Sequence, residues 1–165
     1  IIITLYIYII KMKKDNNMEW GYYTWLLFHT LAEKIKEEEF INEKDNLIYF
    51  IKNICNVLPC PDCSSHAIHM LKYYNYKHIT NKESFKKFLF EFHNIVNKRK
   101  QYKQEDYSCL QIYEKAILYK ILYAWDHHFS VKGVNSRLLT ENMNRNRVKK
   151  NFIKYMNNNK HKFNH

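Results

Sequence analysis

The chain has 165 residues, long enough for one domain with a buried core, and its 14 Tyr, 10 Phe and 3 Trp supply large rings for that core. Only two glycines (Gly21 and Gly133) and two prolines occur, which disfavours turn-rich β architectures and excludes the glycine-rich phosphate loops of nucleotide-binding folds. The net charge is +11, but nine Lys and Arg side chains oppose the single Glu141 within residues 130–165, so the positive charge is concentrated in the tail.

The first segment, residues 1–17, begins with the apolar run IIITLYIYII. This run is well short of the ~20 residues that span a bilayer, and no basic region precedes it as in a signal peptide. The chain does not begin with Met, whereas Met12 and Met18 follow shortly. We therefore interpret residues 1–17 as an N-terminal extension, either an artefact or a marginal membrane anchor, and we expect the rest of the chain to be soluble.

Five helices and no strand pair are predicted along the chain. Apolar spacing indicates helices at about 19–38 and 45–57, and the prolines of LPCP end the second one because proline breaks a helix interior. Pro61 suits the first position of a third helix over 61–74. The pair Thr80 and Glu83 forms a predicted capping box for the fourth helix, and a fifth is predicted over 108–127. Short connections between these helices favour a compact helical bundle.

The stretch ICNVLPCPDCSSH, residues 54–66, holds three cysteines and a histidine. Cys60 and Cys63 form a C-x-x-C at a predicted helix start, where the helix dipole and free N–H groups favour a reactive thiolate. The alternative is a zinc site made of Cys55, Cys60, Cys63 and His66. That alternative crowds four ligands into twelve residues across a proline break, and Cys55 has the surroundings of an ordinary buried cysteine.

Two further clusters combine rings with polar groups. Trp25 and His29 are four residues apart and share one face of the first helix, as His93 and Asn97 do on the fourth, with Asn94 about 100° round that helix. Each of them taken alone is most simply a core or surface residue. Together, beside a dithiol, they favour a large flat cofactor that offers stacking faces and hydrogen-bonding edges.

The segments WGYYTWLLFH, LPCPDC and HNIVN resemble, in order and spacing, the Erv/ALR family of FAD-dependent sulfhydryl oxidases. The resemblance covers about residues 18–120 and is most similar to the versions of large cytoplasmic DNA viruses, through CxxCxxHA and IYE. It implies an all-α fold, a four-helix bundle with a short fifth helix, that binds FAD without a Rossmann fold. We therefore expect an oxidase domain over 18–128 and a basic C-terminal tail over 129–165.

The resemblance also implies a role for individual residues. Cys60 and Cys63 would be catalytic, with Cys63 against the isoalloxazine ring and Cys60 exchanging with substrate. Trp25 and His29 would line the flavin pocket, and Gly21 would allow close backbone approach. The implied cofactor-binding residues are Gly21, Trp25, His29, His93, Asn94, Val96, Asn97, Lys103 and Tyr113.

The implied reaction is 2 R-SH + O₂ giving R-S-S-R + H₂O₂, on thiol-containing protein substrates, by a homodimer working in the host cytoplasm or the virion. Two features depart from the family. No second C-x-x-C is present, and Ser84 stands where the family has a cysteine. Cys109 could therefore pair with Cys55, pair across a dimer or stay reduced, and we expect the last. The tail is expected to be a solvated, partly disordered extension. The alternative function is a zinc-stabilised helical module that binds nucleic acid through this tail; contact of the tail with an acidic membrane is a further possibility.

Overall fold

The structure, a computed structural model, describes residues 19–129 and 136–164, so the predicted N-terminal extension lies outside it. The α-helices are α1 (Glu19–Lys34), α2 (Glu37–Asn56), α3 (Pro61–Tyr73), α4 (Lys82–Arg99), α5 (Leu118–His128) and α6 (Ser136–Asn158). Short 3₁₀ helices lie at Tyr76–His78, Tyr107–Lys115 and Lys160–Lys162. In these two ranges the only extended pairing is an isolated bridge between Ile35 and Phe163. The prediction of an all-α fold is confirmed.

The first helix is shorter than predicted, and the second begins earlier. Helix α1 ends at Lys34 and α2 begins at Glu37, because Lys36 has an extended backbone (φ −68°, ψ 142°). The C-terminal residues stabilise this break: the Lys36 N–H donates to the carbonyl of Lys162 (3.0 Å), and the Asn164 N–H donates to that of Lys34 (2.7 Å). Sequence pattern within the first helix could not reveal a stop that a segment over 120 residues away supplies.

The capping box of α4 lies one residue later than predicted. Asn81, not Thr80, is the N-cap: its side chain accepts a hydrogen bond from the Ser84 N–H (2.8 Å), and its own N–H donates to the Ser84 hydroxyl (3.0 Å). Ser84 thus replaces Glu83 as the second member of the box. The serine at the position of the family's cysteine therefore has a local structural role in this chain.

The predicted helix over 108–127 is wrong in its first half. The chain forms the 3₁₀ helix Tyr107–Lys115, turns extended at Ala116, and only then enters α5. The Asp106 side chain caps this 3₁₀ helix by accepting from the Ser108 N–H (2.9 Å), and buried Lys34 donates from Nζ to the Glu114 carbonyl (2.9 Å). These contacts hold the tighter geometry against α1.

Helix α1 occupies the centre of the core, in contact with α4, α5 and the 3₁₀ helix Tyr107–Lys115, while α2 packs against α3 and α6. Burying so much aromatic surface is the main stabilising contribution in a fold of this size. No helix in the described ranges is long and apolar enough to cross a membrane. The largest side chains that are almost completely buried are rings, namely Phe28, Phe40, Phe85, Phe88, Phe92, Trp125, Phe129 and Phe152.

The basic tail is not the solvated, partly disordered extension that its composition predicts. Residues 136–158 form α6, in which Phe152 and Met156 are buried, and Phe163 beyond the helix is also buried. The Phe152 ring lies 5.2 Å from that of Phe50 and 5.6 Å from that of Trp125. The expectation was wrong because a few apolar residues at helical spacing are enough to dock a helix whose other positions are Asn, Lys and Arg.

A buried polar cluster fixes the end of the tail to α2. The Glu43 carboxylate, only 4 % exposed, accepts hydrogen bonds from Tyr155, Lys162 and Asn46. Burial raises the pKa of Glu43, but these hydrogen bonds outweigh it and hold the pKa below its ordinary value. The carboxylate therefore stays charged where it is paired, which links the C-terminal residues to the core.

Candidate active site

The Cys60–Cys63 pair lies at the N-terminus of α3. Cys60 is the N-cap, Pro61 occupies the first helical turn, and the two cysteines form a disulfide with their Cα atoms 5.2 Å apart. The Cys60 sulfur accepts a hydrogen bond from the Cys63 N–H (3.2 Å), and both residues are partly exposed. A sulfur at this position meets the positive end of the helix dipole and unpaired N–H groups, which favour a thiolate once the bond is reduced.

The chain entering the dithiol is anchored from two sides. The Ser64 hydroxyl donates to the Cys55 carbonyl (2.7 Å), and the buried Arg145 of α6 donates from Nε to the Val57 carbonyl (2.8 Å). Burial raises the pKa of the Cys55 thiol to about 12, so this cysteine remains an inert apolar thiol. The tail thus contributes directly to holding the loop that ends at Cys60.

An ion pair joins the dithiol to α4. Asp62 lies between the two cysteines in the sequence. Its two carboxylate oxygens accept hydrogen bonds from Arg99 Nη2, at 2.8 Å and 2.9 Å. Arg99 is in the last turn of α4, the helix that carries His93 and Asn97. This ion pair therefore holds the C-x-x-C against the end of α4, the helix on which some of the predicted cofactor residues lie.

Helices α1 and α4 present a cluster of stacked rings. Trp25 and His93 stack with centroids 4.1 Å apart and planes 10° from parallel, and His29 stacks on Tyr113 at 5.0 Å. His29 Nε2 and His93 Nδ1 share a hydrogen bond of 3.0 Å between the two helices, and Phe92 meets Trp25 edge-on. Four predicted cofactor residues, Trp25, His29, His93 and Tyr113, are thus brought together.

Both histidines of this cluster are uncharged near neutral pH. Desolvation by burial, followed by the neighbouring His93, lowers the pKa of His29 well below its ordinary value, and burial lowers the pKa of His93 to about 3. A neutral imidazole carries one donor and one acceptor nitrogen. The cluster therefore offers ring faces and neutral hydrogen-bonding edges rather than positive charge.

The remaining predicted residues are spread around this cluster. Asn97 is buried one turn beyond His93 on α4, and Val96 packs against the core. Apart from the neighbours of Gly21 in the chain and the backbone of its own helix, no atom of the described residues lies within 4 Å of a Cβ built on it. The side-chain amide of Asn94 donates a hydrogen bond to the Glu105 carbonyl and accepts one from the Glu105 N–H, both at 3.0 Å. Lys103 is exposed on the segment between α4 and the next 3₁₀ helix.

The ligand set of the zinc hypothesis is not assembled. Cys60 and Cys63 are bonded to each other, and Cys55 is a buried free thiol. Within residues 19–129 and 136–164, no group of three or more His, Cys, Asp or Glu could hold a metal ion. Cys109 is also a free thiol within this chain, as expected.

Two charged residues that hold the dithiol escaped the sequence analysis. Arg99 lies in the basic run after HNIVN and Arg145 in the tail, and both looked like solvated charges. Their partners are 37 and 88 residues away along the chain. The only signal available was the carboxylate inside the C-x-x-C, with which a basic side chain can pair.

Comparison with known proteins agrees with the family resemblance of the sequence motifs. The Erv1/Alr family profile matches residues 22–117, more than half of the chain. The chain belongs to the Erv1/Alr family. An FAD-linked sulfhydryl oxidase of African swine fever virus is 36 % identical over 107 residues, which cover 64 % of this chain and 89 % of the viral protein. No solved structure matches the chain significantly.

Cellular relatives are more distant. FAD-linked sulfhydryl oxidase ERV2 of Saccharomyces cerevisiae is 29 % identical over 104 residues, covering 63 % of this chain and 50 % of the yeast protein. The mitochondrial FAD-linked sulfhydryl oxidase erv1 of Schizosaccharomyces pombe is 29 % identical over 82 residues, covering 49 % and 45 %. The Erv1/Alr match contains the dithiol and the whole ring cluster but ends before α5, so α6 lies beyond it.

Proposed function

We propose that this Erv1/Alr protein is an FAD-linked sulfhydryl oxidase that forms disulfide bonds in thiol-containing protein substrates. The observation that carries the proposal is the partly exposed Cys60–Cys63 disulfide at the start of α3, tied through Asp62 and Arg99 to the helix that bears His93. A dithiol at a helix N-terminus, tied to the end of a helix that contributes to a buried ring cluster, suits electron transfer from thiols to an aromatic acceptor. The printed names of its viral and fungal relatives support the same activity.

The dithiol carries out the exchange with substrate. A substrate thiolate attacks the Cys60 sulfur, the bond between Cys60 and Cys63 breaks, and Cys63 leaves as a thiolate stabilised by the α3 N-terminus. A second substrate thiolate then attacks the substrate sulfur of this mixed disulfide, and Cys60 leaves. The substrate has gained one disulfide, and the Cys60–Cys63 pair holds the two electrons.

The ring cluster fits a flavin by its chemistry. Trp25 and His29 offer ring faces, neutral His93 and buried Asn97 offer hydrogen-bonding edges, and open space beside Gly21 permits close approach to α1. A further ring does not fit between Trp25 and His93, because these already stack at 4.1 Å. When bound, FAD supplies acceptance of two electrons and their transfer to dioxygen, giving hydrogen peroxide.

The same proposal covers the finer organisation. Residues 18–128 form the oxidase domain, with α1–α4 as its four-helix bundle and α5 as the short fifth helix, and 129–165 form a tail that packs onto it. Homodimer formation rests on the family resemblance alone, and action in the host cytoplasm or the virion rests on the viral origin of one relative. Lys103, Asn94 and Tyr113 as cofactor residues stay predictions, as does contact of the tail with nucleic acid or a membrane.

The test is a visible spectrum together with an oxygen-consumption assay on the purified protein. We expect a flavin absorption band that bleaches anaerobically on addition of dithiothreitol, and oxygen uptake that yields hydrogen peroxide. The Cys63→Ser variant should keep the flavin band and lose at least ~100-fold in turnover, because no disulfide remains to accept electrons.

Cys109→Ser is the matched control, since Cys109 is a free, partly exposed thiol outside the dithiol, and it should turn over like the unmodified protein. Colourless protein that cannot be loaded with FAD would refute the proposal. Full activity in Cys63→Ser would refute the role given to that cysteine.

A further inference from the structure

The C-x-x-C of this protein carries a carboxylate between its two sulfurs, and an arginine from another helix neutralises it. Asp62 has an exposed side chain (67 %), yet both of its oxygens lie within 2.9 Å of Arg99 Nη2. The hydrogen bond and charge of Arg99 lower the pKa of Asp62 below its ordinary value, so the pair is ionised at neutral pH. His66 and Lys100 are the other titratable groups facing Asp62, and no second carboxylate acts on it there.

A charge at this position acts differently on the two redox states of the dithiol. The disulfide is neutral, whereas reduction produces thiol groups of which at least one ionises at the α3 N-terminus. A lone carboxylate one residue from Cys63 would repel that thiolate and favour the disulfide. A guanidinium placed against the carboxylate cancels the repulsion, so the reduced pair becomes easier to form.

The stabilisation that an exposed ion pair gives to folding does not explain this arrangement. Pairs at this exposure contribute little to stability, because water and salt screen them and two side chains lose freedom. The geometry of one nitrogen facing both oxygens instead keeps the positive charge on the carboxylate of the residue that directly precedes Cys63. The contact also fixes the start of α3 against the last turn of α4.

We propose that Arg99 tunes the reduction potential of the Cys60–Cys63 disulfide by neutralising Asp62. Arg99 is a positioning residue, because it acts on the sulfurs through Asp62 and does not touch the reacting atoms. The inference deepens the proposed oxidase function: a disulfide that is easier to reduce accepts electrons from a wider range of substrate thiols. It concerns the equilibrium in which two glutathione thiols reduce the Cys60–Cys63 disulfide and become one glutathione disulfide.

The test measures that equilibrium in the full-length, flavin-containing protein under anaerobic conditions. Protein is equilibrated with glutathione buffers of graded ratio, quenched with an alkylating reagent, and the Cys60–Cys63 peptide is quantified by mass spectrometry. The variants are Arg99→Gln, Asp62→Asn and the double variant. The matched control is Lys87→Gln, which removes the Lys87–Glu91 ion pair on the same helix, away from the dithiol.

Opposite shifts are the signature of tuning by charge. Arg99→Gln should lower the equilibrium constant for reduction about three- to tenfold, or roughly 15–30 mV, since the Asp62 carboxylate is then unpaired. Asp62→Asn should raise it by a similar factor, because the guanidinium then favours the thiolate. The double variant should return to within about twofold of the unmodified protein, and Lys87→Gln should not move it.

A purely structural role predicts a different pattern. If the pair only held the loop in place, each single variant would break the same contact, and both would shift the equilibrium in the same direction. Shifts of the same sign, or an Arg99→Gln value equal to that of Lys87→Gln, would overturn the inference. The opposite shifts should also shrink at ~1 M salt, and shifts that persist undiminished would contradict their electrostatic origin.

Failure of this inference is distinguishable from failure of the oxidase proposal. The glutathione equilibrium reports on the two sulfurs alone, with no oxygen consumed and no turnover required. A protein that binds FAD and oxidises thiols but shows same-sign shifts keeps its proposed function and loses only the role of Arg99.

Discussion

Replacing Phe152 by alanine tests whether the basic tail is part of the folded core. Phe152 is fully buried on α6, and its ring contacts Phe50 of α2 and Trp125 of α5. Truncating a phenylalanine in such a site removes its buried apolar surface and leaves a cavity between three helices, at a cost of about 3–5 kcal/mol. For a chain of this length each kcal/mol lowers the melting temperature by about 2–4 °C, so we expect a decrease of roughly 6–20 °C.

The assays are thermal unfolding, which gives the melting temperature, and urea unfolding, which gives the free energy of unfolding. Both use the flavin-saturated protein and are followed by circular dichroism and by the fluorescence of Trp125 and the other tryptophans. Met143→Ala is the matched control, because Met143 lies on the same helix with 67 % of its side chain exposed and should change stability by less than about 0.5 kcal/mol. Equal unfolding curves for the two variants would mean that α6 is not packed on the core. Phe152→Ala should also leave the slope of the transition unchanged if both variants unfold in one step.

Three further predictions concern buried polar groups, each measured by chemical denaturation. Burial lowers the pKa of His93 from its ordinary value near 6.5 to about 3, so between these values the unfolded chain binds a proton that the folded protein does not. The free energy of unfolding should therefore fall as the pH decreases through that range. His93→Gln should lose part of this pH dependence, and an unchanged dependence would refute the assignment. Hydrogen bonds hold the pKa of Glu43 below 4.5, so its contribution to the free energy of unfolding is present above that pH and disappears as the pH falls through the pKa of the folded protein. Glu43→Gln should therefore cost about 1–3 kcal/mol at pH 7 and almost nothing at low pH. Arg145→Met leaves a carbonyl at the end of α2 without its donor and should cost about 1–3 kcal/mol, whereas exposed Arg147→Met should be silent; equal losses would contradict the buried contact.

Local sequence features predicted the elements that local physics controls. Pro61 next to Cys60 defines the start of α3, since proline fits the first turn of a helix and cannot sit inside one. The spacing of Trp25 and His29, and of His93 and Asn97, correctly indicated that each pair shares a helix face. The motif carrying Cys60 and Cys63 likewise placed the dithiol, because a C-x-x-C at a helix start needs only neighbouring residues to form.

The capping box of α4 was misplaced by one residue within a local motif, whereas the other errors come from contact between segments distant in the chain. Helix α1 stops at Lys34 because residues near Lys162 pair with the chain just beyond it. The tail looked disordered because its composition is polar, although Phe152 and Met156 suffice to dock it onto a core that is already apolar. The hydrogen bonds between the Asn94 side chain and Glu105 were likewise not indicated by the sequence, and a role for Asn94 in cofactor binding stays a prediction.

The sequence by itself therefore determined the helical class, the family and the position of the Cys60–Cys63 pair, since these follow from periodicity, from proline and from the spacing of a few chemical groups. Only the tertiary structure decided which charged side chains bind the segment around the dithiol. Arg99 and Arg145 reach the dithiol region from α4 and α6, and ion pairs and buried hydrogen bonds depend on distance in space, which separation along the chain does not encode.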